Sequence, residues 1–356
     1  MAMGLLAWMV AAAAAAVLAS WAFSAVVHLV WRPHAISRRL RAQGVGGPGY
    51  RFFSGNLGEI KRFRGDGAGV VLNVSSHHFL PIVQPHFRNY LPTMKNFKTW
   101  SLDKKVRGML MDIIKTRHAN KNVAWYGNDL LGLMLEACAP EHGESCPQLS
   151  MDEIIDECKT FFFAGHDTTS HLLTWTMFLL STHPDWQEKL REEIAMECGD
   201  KVPAGDMLNK LKMVNMFLLE TLRLYSPVSL IRRKVGTDIE LGGIKMPEGA
   251  LLTIPIATIH RDKEVWGEDA DEFRPERFEN GVTRAAKHPN ALLSFSSGPR
   301  SCIGQNFAMI EAKAVIAMIL QRFSFTLSPK YVHAPTDVIT LRPKYGLPMI
   351  LKSLKL

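Results

Sequence analysis

The sequence predicts a mainly α-helical body with a small β-sheet, preceded by an N-terminal transmembrane helix. Three observations carry this. Gly4 to Val30 holds no Asp, Glu, Lys or Arg, and about 20 such residues at 1.5 Å each cross a bilayer core of about 30 Å. Met151 to His183 keeps helical spacing without a break until Pro184, roughly 50 Å of helix at the standard rise. Ile231 to Ile259 instead alternates short apolar runs with turn residues such as Gly242-Gly243 and Pro247-Glu248-Gly249, the pattern of short strands.

The N-terminal run is longer than the apolar core of a secretory signal peptide, and no basic residue precedes it. The first basic residues follow it, so the positive-inside rule leaves the C-terminal bulk in the cytoplasm, with a single-pass anchor over residues 4–30. A cleaved signal or a buried alanine-rich helix is the alternative. Residues 31–50 form a basic juxtamembrane segment that ends in the hinge Gly44-Val45-Gly46-Gly47-Pro48-Gly49. The chain carries a net charge of +8. Arg32, Arg38, Arg39, Arg41, Arg51, Lys61, Arg62 and Arg64 face one acid, Glu59, so this stretch supplies nearly all of it. That placement suits an anionic membrane surface and argues against nucleic acid as a partner. The cysteines are Cys138, Cys146, Cys158, Cys198 and Cys302. An odd count with no C-x-x-C excludes a simple disulfide framework or a zinc ribbon and suits a reducing compartment.

Residues 51–356 form the body. Leu102 to Arg117 has helical spacing, with Val106, Leu110, Ile113 and Ile114 assigned to one face. Asp129 to Cys138 is a second, short helix. Ser150 and Glu153 form an S-x-x-E capping box at the start of the long helix. Trp186 to Glu197 and Met207 to Tyr225 follow as helices, then the strand region. Gln305 to Phe323 is the last helix, and its N-terminal dipole end lies close enough to Cys302 to favour a thiolate.

The chemistry concentrates in Phe295-Ser296-Ser297-Gly298-Pro299-Arg300-Ser301-Cys302-Ile303-Gly304. A lone cysteine is usually a buried, inert small hydrophobe. Here Phe295, Gly298, Arg300, Cys302 and Gly304 surround it at fixed offsets: glycines that permit a tight loop, an arginine able to pair with a propionate, and an aromatic able to pack beside sulfur. That set points to a thiolate ligand for haem iron, the ligand type that favours O–O cleavage. Within the long helix lies Ala164-Gly165-His166-Asp167-Thr168-Thr169. A glycine and two threonines are poor helix formers, so local widening of the helix is expected there. The bland alternative is an exposed Asp with core threonines, and His166 is expected to be exposed rather than a metal ligand. Glu220 and Arg223 share a helix face at i and i+3, and Phe273-Arg274-Pro275-Glu276-Arg277-Phe278 follows later.

The order of groove, E-x-x-R, P-E-R-F and cysteine loop resembles the cytochrome P450s, from about Leu102 to the C-terminus. Trp31-Arg32-Pro33, Phe52-Phe53-Ser54-Gly55-Asn56 and His260-Arg261-Asp262 are similar to plant microsomal members. Those belong to the clan of fatty-acid, brassinosteroid, cytokinin and gibberellin hydroxylases, and the strongest likeness is to a grass fatty-acid hydroxylase type. The resemblance implies haem b with Cys302 as axial thiolate. Ala164 and Gly165 would leave room for oxygen, Thr168 would hydrogen-bond at the oxygen site and Asp167 would relay protons. Arg300 and Arg233 would hold propionates, Arg233 in a strand where Arg232 alternates to the other face. Glu220, Arg223 and Arg277 would form a structural network behind the cysteine loop. It further implies an NADPH-dependent reductase as electron donor, a small apolar substrate (a fatty acid or a terpenoid or steroid hormone-like molecule), and the endoplasmic reticulum membrane.

The resemblance is interrupted near residues 90–91. Arg88-Asn89-Tyr90 runs straight into Leu91-Pro92-Thr93, where family members of ordinary size carry roughly 150 further residues. The W-x-x-x-R helix that contacts a propionate falls in that gap. Trp100 does not replace it, because Lys104 stands at the arginine position. Two expectations stand side by side: an active membrane-bound monooxygenase, and an inactive remnant or splice variant with little or no haem binding. A membrane-tethered helical protein of unrelated fold is a third, and the motif order argues against it.

Overall fold

The computed structural model describes residues 17–21, 23–24, 26–27, 31–44, 94–119, 126–137 and 150–354. Along the chain these give α1 (Arg32–Arg41), α2 (Met94–Ala119), α3 (Leu130–Ala137), α4 (Met151–Thr182), α5 (Pro184–Cys198), α6 (Gly205–Lys210) and α7 (Lys212–Leu224). Strands β1 (Ile231–Lys234), β2 (Ile239–Leu241), β3 (Ile244–Met246) and β4 (Leu251–Ile254) follow. Two one-turn helices come next, α8 (Ile256–Ile259) and α9 (Lys263–Trp266), then α10 (Gln305–Arg322). The chain closes with β5 (Phe323–Leu327), β6 (Pro335–Asp337), β7 (Leu341–Pro343) and β8 (Met349–Ser353). It forms two compact units: a helical unit of residues 86–227, 298–329 and 347–356, and a strand-rich unit of residues 1–85, 228–297 and 330–346.

The helical unit is built on α4. The capping box is present: Glu153 N–H donates to Ser150 Oγ (3.3 Å) and Ser150 N–H donates to the Glu153 carboxylate (2.7 Å). These bonds satisfy donors that no turn of helix can, and they hold the Glu153 carboxyl below its ordinary range. The C-terminal half of α4 buries Leu172, Trp175, Phe178, Leu179 and Leu180. Trp175 stacks on Tyr225, with centroids 4.4 Å apart, and Phe178 meets both edge-on. In α7 everything from Phe217 to Leu224 is buried. Its N-cap residue, Leu211, offers no side-chain acceptor. Glu193 of α5 supplies it, accepting from Met213 N–H (2.7 Å) and Val214 N–H (2.9 Å), where a carboxylate also meets the positive end of the helix dipole.

The buried Gln187 of α5 acts as a strand surrogate. Its amide nitrogen donates to Phe325 O (3.1 Å) and Leu180 O (3.3 Å), while its oxygen accepts from Phe325 N–H (3.1 Å). Arg191 reinforces the join through Leu320 O. Beyond them β5 pairs antiparallel with β8 from Phe323↔Ser353 to Leu327↔Met349.

Helix α2 corrects one expectation. Ile114 is buried with Tyr126, Leu135, Ile154 and Ile155, and Leu110, Met111, Leu131, Met134 and Cys158 pack against them. Val106 and Ile113, assigned to the same face, are exposed. At 100° per residue the covered side is centred between Leu110 and Ile114, and Val106 and Ile113 fall outside it. Burial of Ile114 in that core sets the rotation, and ion pairs of Arg107 with Asp152 and Asp156 and of Lys159 with Asp103 and Asp156 lie alongside it.

The strand-rich unit corrects another. The single small sheet expected over 231–259 is divided: β1 pairs with β4 (Arg233↔Leu252), and β2–β3 is a hairpin turned by Gly242 and Gly243, both at positive φ. The end of the expected strand region is helical: after β4 the chain coils into α8, Ile256–Ile259. A third ladder in this unit, β6–β7, comes from the C-terminal tail. Helix α1 joins the hairpin through Gln43, whose amide donates to Lys245 O (3.0 Å) and accepts from Lys245 N–H (2.9 Å).

Among the described residues no helix is long and apolar enough to cross a membrane. Of the span expected over 4–30, residues 17–21, 23–24 and 26 are helical, and the remainder is mostly outside the described residues. The hinge from Val45 onward, residues 51–93 with the junction at 90–91, and Cys138 and Cys146 also lie outside them.

Candidate functional site

The thiol loop belongs to the helical unit from Gly298 onward. Gly298 sits at φ +76°, a conformation that disfavours a side chain, and opens a short 3-10 turn through Arg300 closed by Ser301 N–H to Gly298 O (3.0 Å). Gly304 differs. It is the N-cap of α10 at φ −87°, where any residue fits, and a Cβ built there would meet only Cys302 Sγ, at 4.0 Å. What glycine provides at 304 is open space beside the sulfur. Cys302 is a free, exposed thiol, followed by the exposed Ile303 and Phe307. Arg300 is exposed and has no carboxylate partner among the described residues.

Helix α4 carries the second motif of this unit. The expected widening is absent: Met151–Thr182 is continuous α-helix. Thr168 Oγ1 donates to Ala164 O (2.6 Å), so the hydroxyl adds a bond to the helix ladder instead of displacing one. Ala164 and Gly165 are exposed, and a Cβ at Gly165 would meet nothing within 4 Å. Asp167 is half-buried and lies 3.8 Å from His171 Nδ1. His166 is exposed, as expected, and stacks on Phe162. Glu220 and Arg223 are both fully buried and form a two-pronged pair, Nε–Oε2 and Nη2–Oε1 each 2.7 Å.

The strand-rich unit carries the remaining residues. Arg233 donates from Nη1 to Arg232 O (3.0 Å) and from Nη2 to Ser296 Oγ (3.3 Å). Ser296 is the one non-glycine residue with positive φ (61°) among the described residues. Its strained backbone is held by its own N–H to Leu293 O (2.8 Å) and by the Arg233 bond. Phe295, half-buried, lies between Leu293 and Ser296 in this segment. The buried His260 completes the support, with Nε2 accepting from Leu293 N–H (2.8 Å). Arg277 is buried in this unit and donates to Asp269 Oδ1 (2.9 Å) and Trp266 O (3.3 Å). The hydrogen bond from Arg277 holds the Asp269 carboxyl below its ordinary range.

Sequence reasoning found the residues of the two motifs and missed those that brace them. Ser296, His260, Asp269, Glu193 and Gln187 act through backbone groups or partners distant in sequence. His260 stands in the family-like segment His260-Arg261-Asp262, but nothing local marks its ring as the acceptor for Leu293 N–H.

The family model described as Cytochrome P450 matches residues 59–348. Cytochrome P450 709B1 of Arabidopsis thaliana is 53% identical over 268 residues, covering 75% of this chain and 51% of that protein. Cytochrome P450 CYP72A219 of Panax ginseng is 46% identical over 301 residues, covering 83% and 57%. Cytochrome P450 734A6 of Oryza sativa subsp. japonica is 45% identical over 288 residues, covering 78% and 53%. The chain spans about half the length of the curated relatives it matches. With the family model running through most of the sequence and these relatives at least 45% identical over three quarters or more of the chain, it belongs to the cytochrome P450 family.

Proposed function

We propose that this chain is a haem-thiolate monooxygenase that hydroxylates a small apolar substrate, a fatty acid or a terpenoid or steroid hormone-like molecule. The observation that carries the reading is Cys302: an exposed thiol with open space beside its sulfur at Gly304, three residues before α10 begins. The donors present fit haem b. A thiol is free, apolar Ile303 and Phe307 stand uncovered near it in sequence, and Arg300 has no carboxylate partner among the described residues. Bound haem supplies the oxygen-activating chemistry.

The chain's own residues then have separate tasks. Cys302 Sγ would hold the haem iron. Arg300 and Arg233 offer guanidinium forks to propionate carboxylates. Ala164 and Gly165 leave a small-residue face on α4. The Thr168 hydroxyl, which donates to Ala164 O in this structure, would donate at the oxygen site, and the Asp167 carboxyl would hold and pass protons there. Phe295 is the aromatic that the family resemblance would set beside the sulfur. The anchor over 4–30, the basic segment over 31–50 and the reductase as electron source belong to the same proposal, with the body on the cytoplasmic face of the endoplasmic reticulum.

The test is the reduced, carbon monoxide-treated spectrum of the purified full chain supplied with hemin. A thiolate-type red-shifted Soret band, abolished by Cys302→Ala, supports the reading. Folded protein that shows no haem absorbance overturns it and leaves the non-catalytic remnant.

A further inference from the structure

Helix α2 carries a second apolar face that its own unit leaves uncovered. Leu102, Val106, Met109 and Ile113 are between 43% and 67% exposed. Their spacing of four, three and four residues places them within one narrow stripe. The buried contacts of α2 (Leu110, Met111 and Ile114) lie roughly a third of a turn further round the same helix. Burial of Ile114 in the core of this unit, with the Arg107 and Lys159 ion pairs beside it, keeps the stripe outward.

The charges beside the stripe are arranged for a copy of itself. Lys105 and Asp112 lie seven residues apart along one edge, both exposed, and neither has an ion-pair partner among the described residues. We infer that α2 is a homodimer interface in which two copies pack antiparallel across this stripe. A two-fold axis near Arg107–Gly108 sets Val106 against Met109 of the second copy and Leu102 against Ile113. The same axis brings Lys105 beside Asp112 of the second copy, and the pair occurs twice by symmetry. A parallel pair would not form these bridges: Asp112 would face Arg117, already engaged by Asp129, and Lys105 would face the packed Leu110. The inference does not depend on haem.

The full chain in detergent micelles tests it by sedimentation equilibrium. The expected result is a dimer that Met109→Asp converts to monomer. Lys105→Asp and Asp112→Lys each weaken the dimer by roughly tenfold, because two attractions become two repulsions. The double swap Lys105→Asp/Asp112→Lys restores it. All these side chains are exposed, and unchanged helical circular dichroism checks that the variants fold. A monomeric parent chain overturns the inference, leaving the stripe to lipid or to a longer relative. A dimer indifferent to Met109→Asp overturns it by locating the contact elsewhere, and failure of the double swap to restore affinity overturns the antiparallel register.

Discussion

Replacing Glu220 by Gln removes one negative charge from a site that water does not reach. Both side chains of the Glu220–Arg223 pair are 0% exposed and share two bonds of 2.7 Å. Gln keeps the volume and one acceptor but withdraws the carboxylate charge that meets the buried Arg223 guanidinium through two bonds. Breaking such a pair from one side costs about 3–5 kcal/mol. A separate route agrees: two unit charges about 4 Å apart at an effective dielectric near 20 attract by about 4 kcal/mol. A typical domain is stable by only about 5–15 kcal/mol, so a large fraction of the unit's stability is at stake. Urea unfolding followed by tryptophan fluorescence reads it, since Trp175 stacks on Tyr225 at the end of the same helix. The expected result is a midpoint lowered by the equivalent of about 3–5 kcal/mol. The variant Glu220→Leu/Arg223→Met should recover most of that loss, because both charges leave together. A loss below about 1 kcal/mol for Glu220→Gln, the range of an exposed pair, would refute the reasoning.

Two further outcomes follow from the same geometry. Gln187→Leu should lower stability by about 2–4 kcal/mol, because it orphans both the N–H and the C=O of Phe325 in a buried site; urea midpoints and faster amide exchange at Phe325 check this. Asp269 has its carboxyl held below the ordinary 3.8, first by the hydrogen bond from Arg277. A depressed folded-state pKa stabilises fully above the unfolded value and loses that contribution as pH falls through the folded one. Asp269→Asn should therefore be less stable than the parent at neutral pH, with the gap closing below about pH 4. A gap that stays constant from pH 7 to pH 3, in urea midpoints measured at each pH, would remove the Arg277–Asp269 pair as its cause.

Much of the fold could be read along the chain where the controlling interactions are local. The start of α4 is an example, because its cap is made by residues three apart, and Pro184 marks its other end. The thiol loop is another, with Gly298 at the one position in its turn that needs positive φ. Helix α2 shows where such reading stops. It has apolar residues on two sides, so hydropathy does not say which side is covered. The buried partners Tyr126, Leu135, Ile154 and Ile155 around Ile114 make the choice, with Arg107 and Lys159 bonding across to residues some 50 positions away in sequence. The expected widening of α4 failed for a related reason: weak helix propensity at Gly165 and Thr168 was outweighed by packing of the buried residues along the rest of the helix.

Residue order alone established which groups are present and how they are spaced: the cysteine with its glycines and arginine, the acid–arginine steps and the capping box. Folding established who supports them. Ser296 is steadied by Arg233, Leu293 by His260, the start of α7 by Glu193, and β5 by a glutamine amide. Contacts within one helical turn are written into spacing, because the backbone brings i and i+4 together wherever a helix forms. Contacts between distant segments exist only after the chain has returned on itself, when each buried N–H and C=O must find whatever partner has been carried to it.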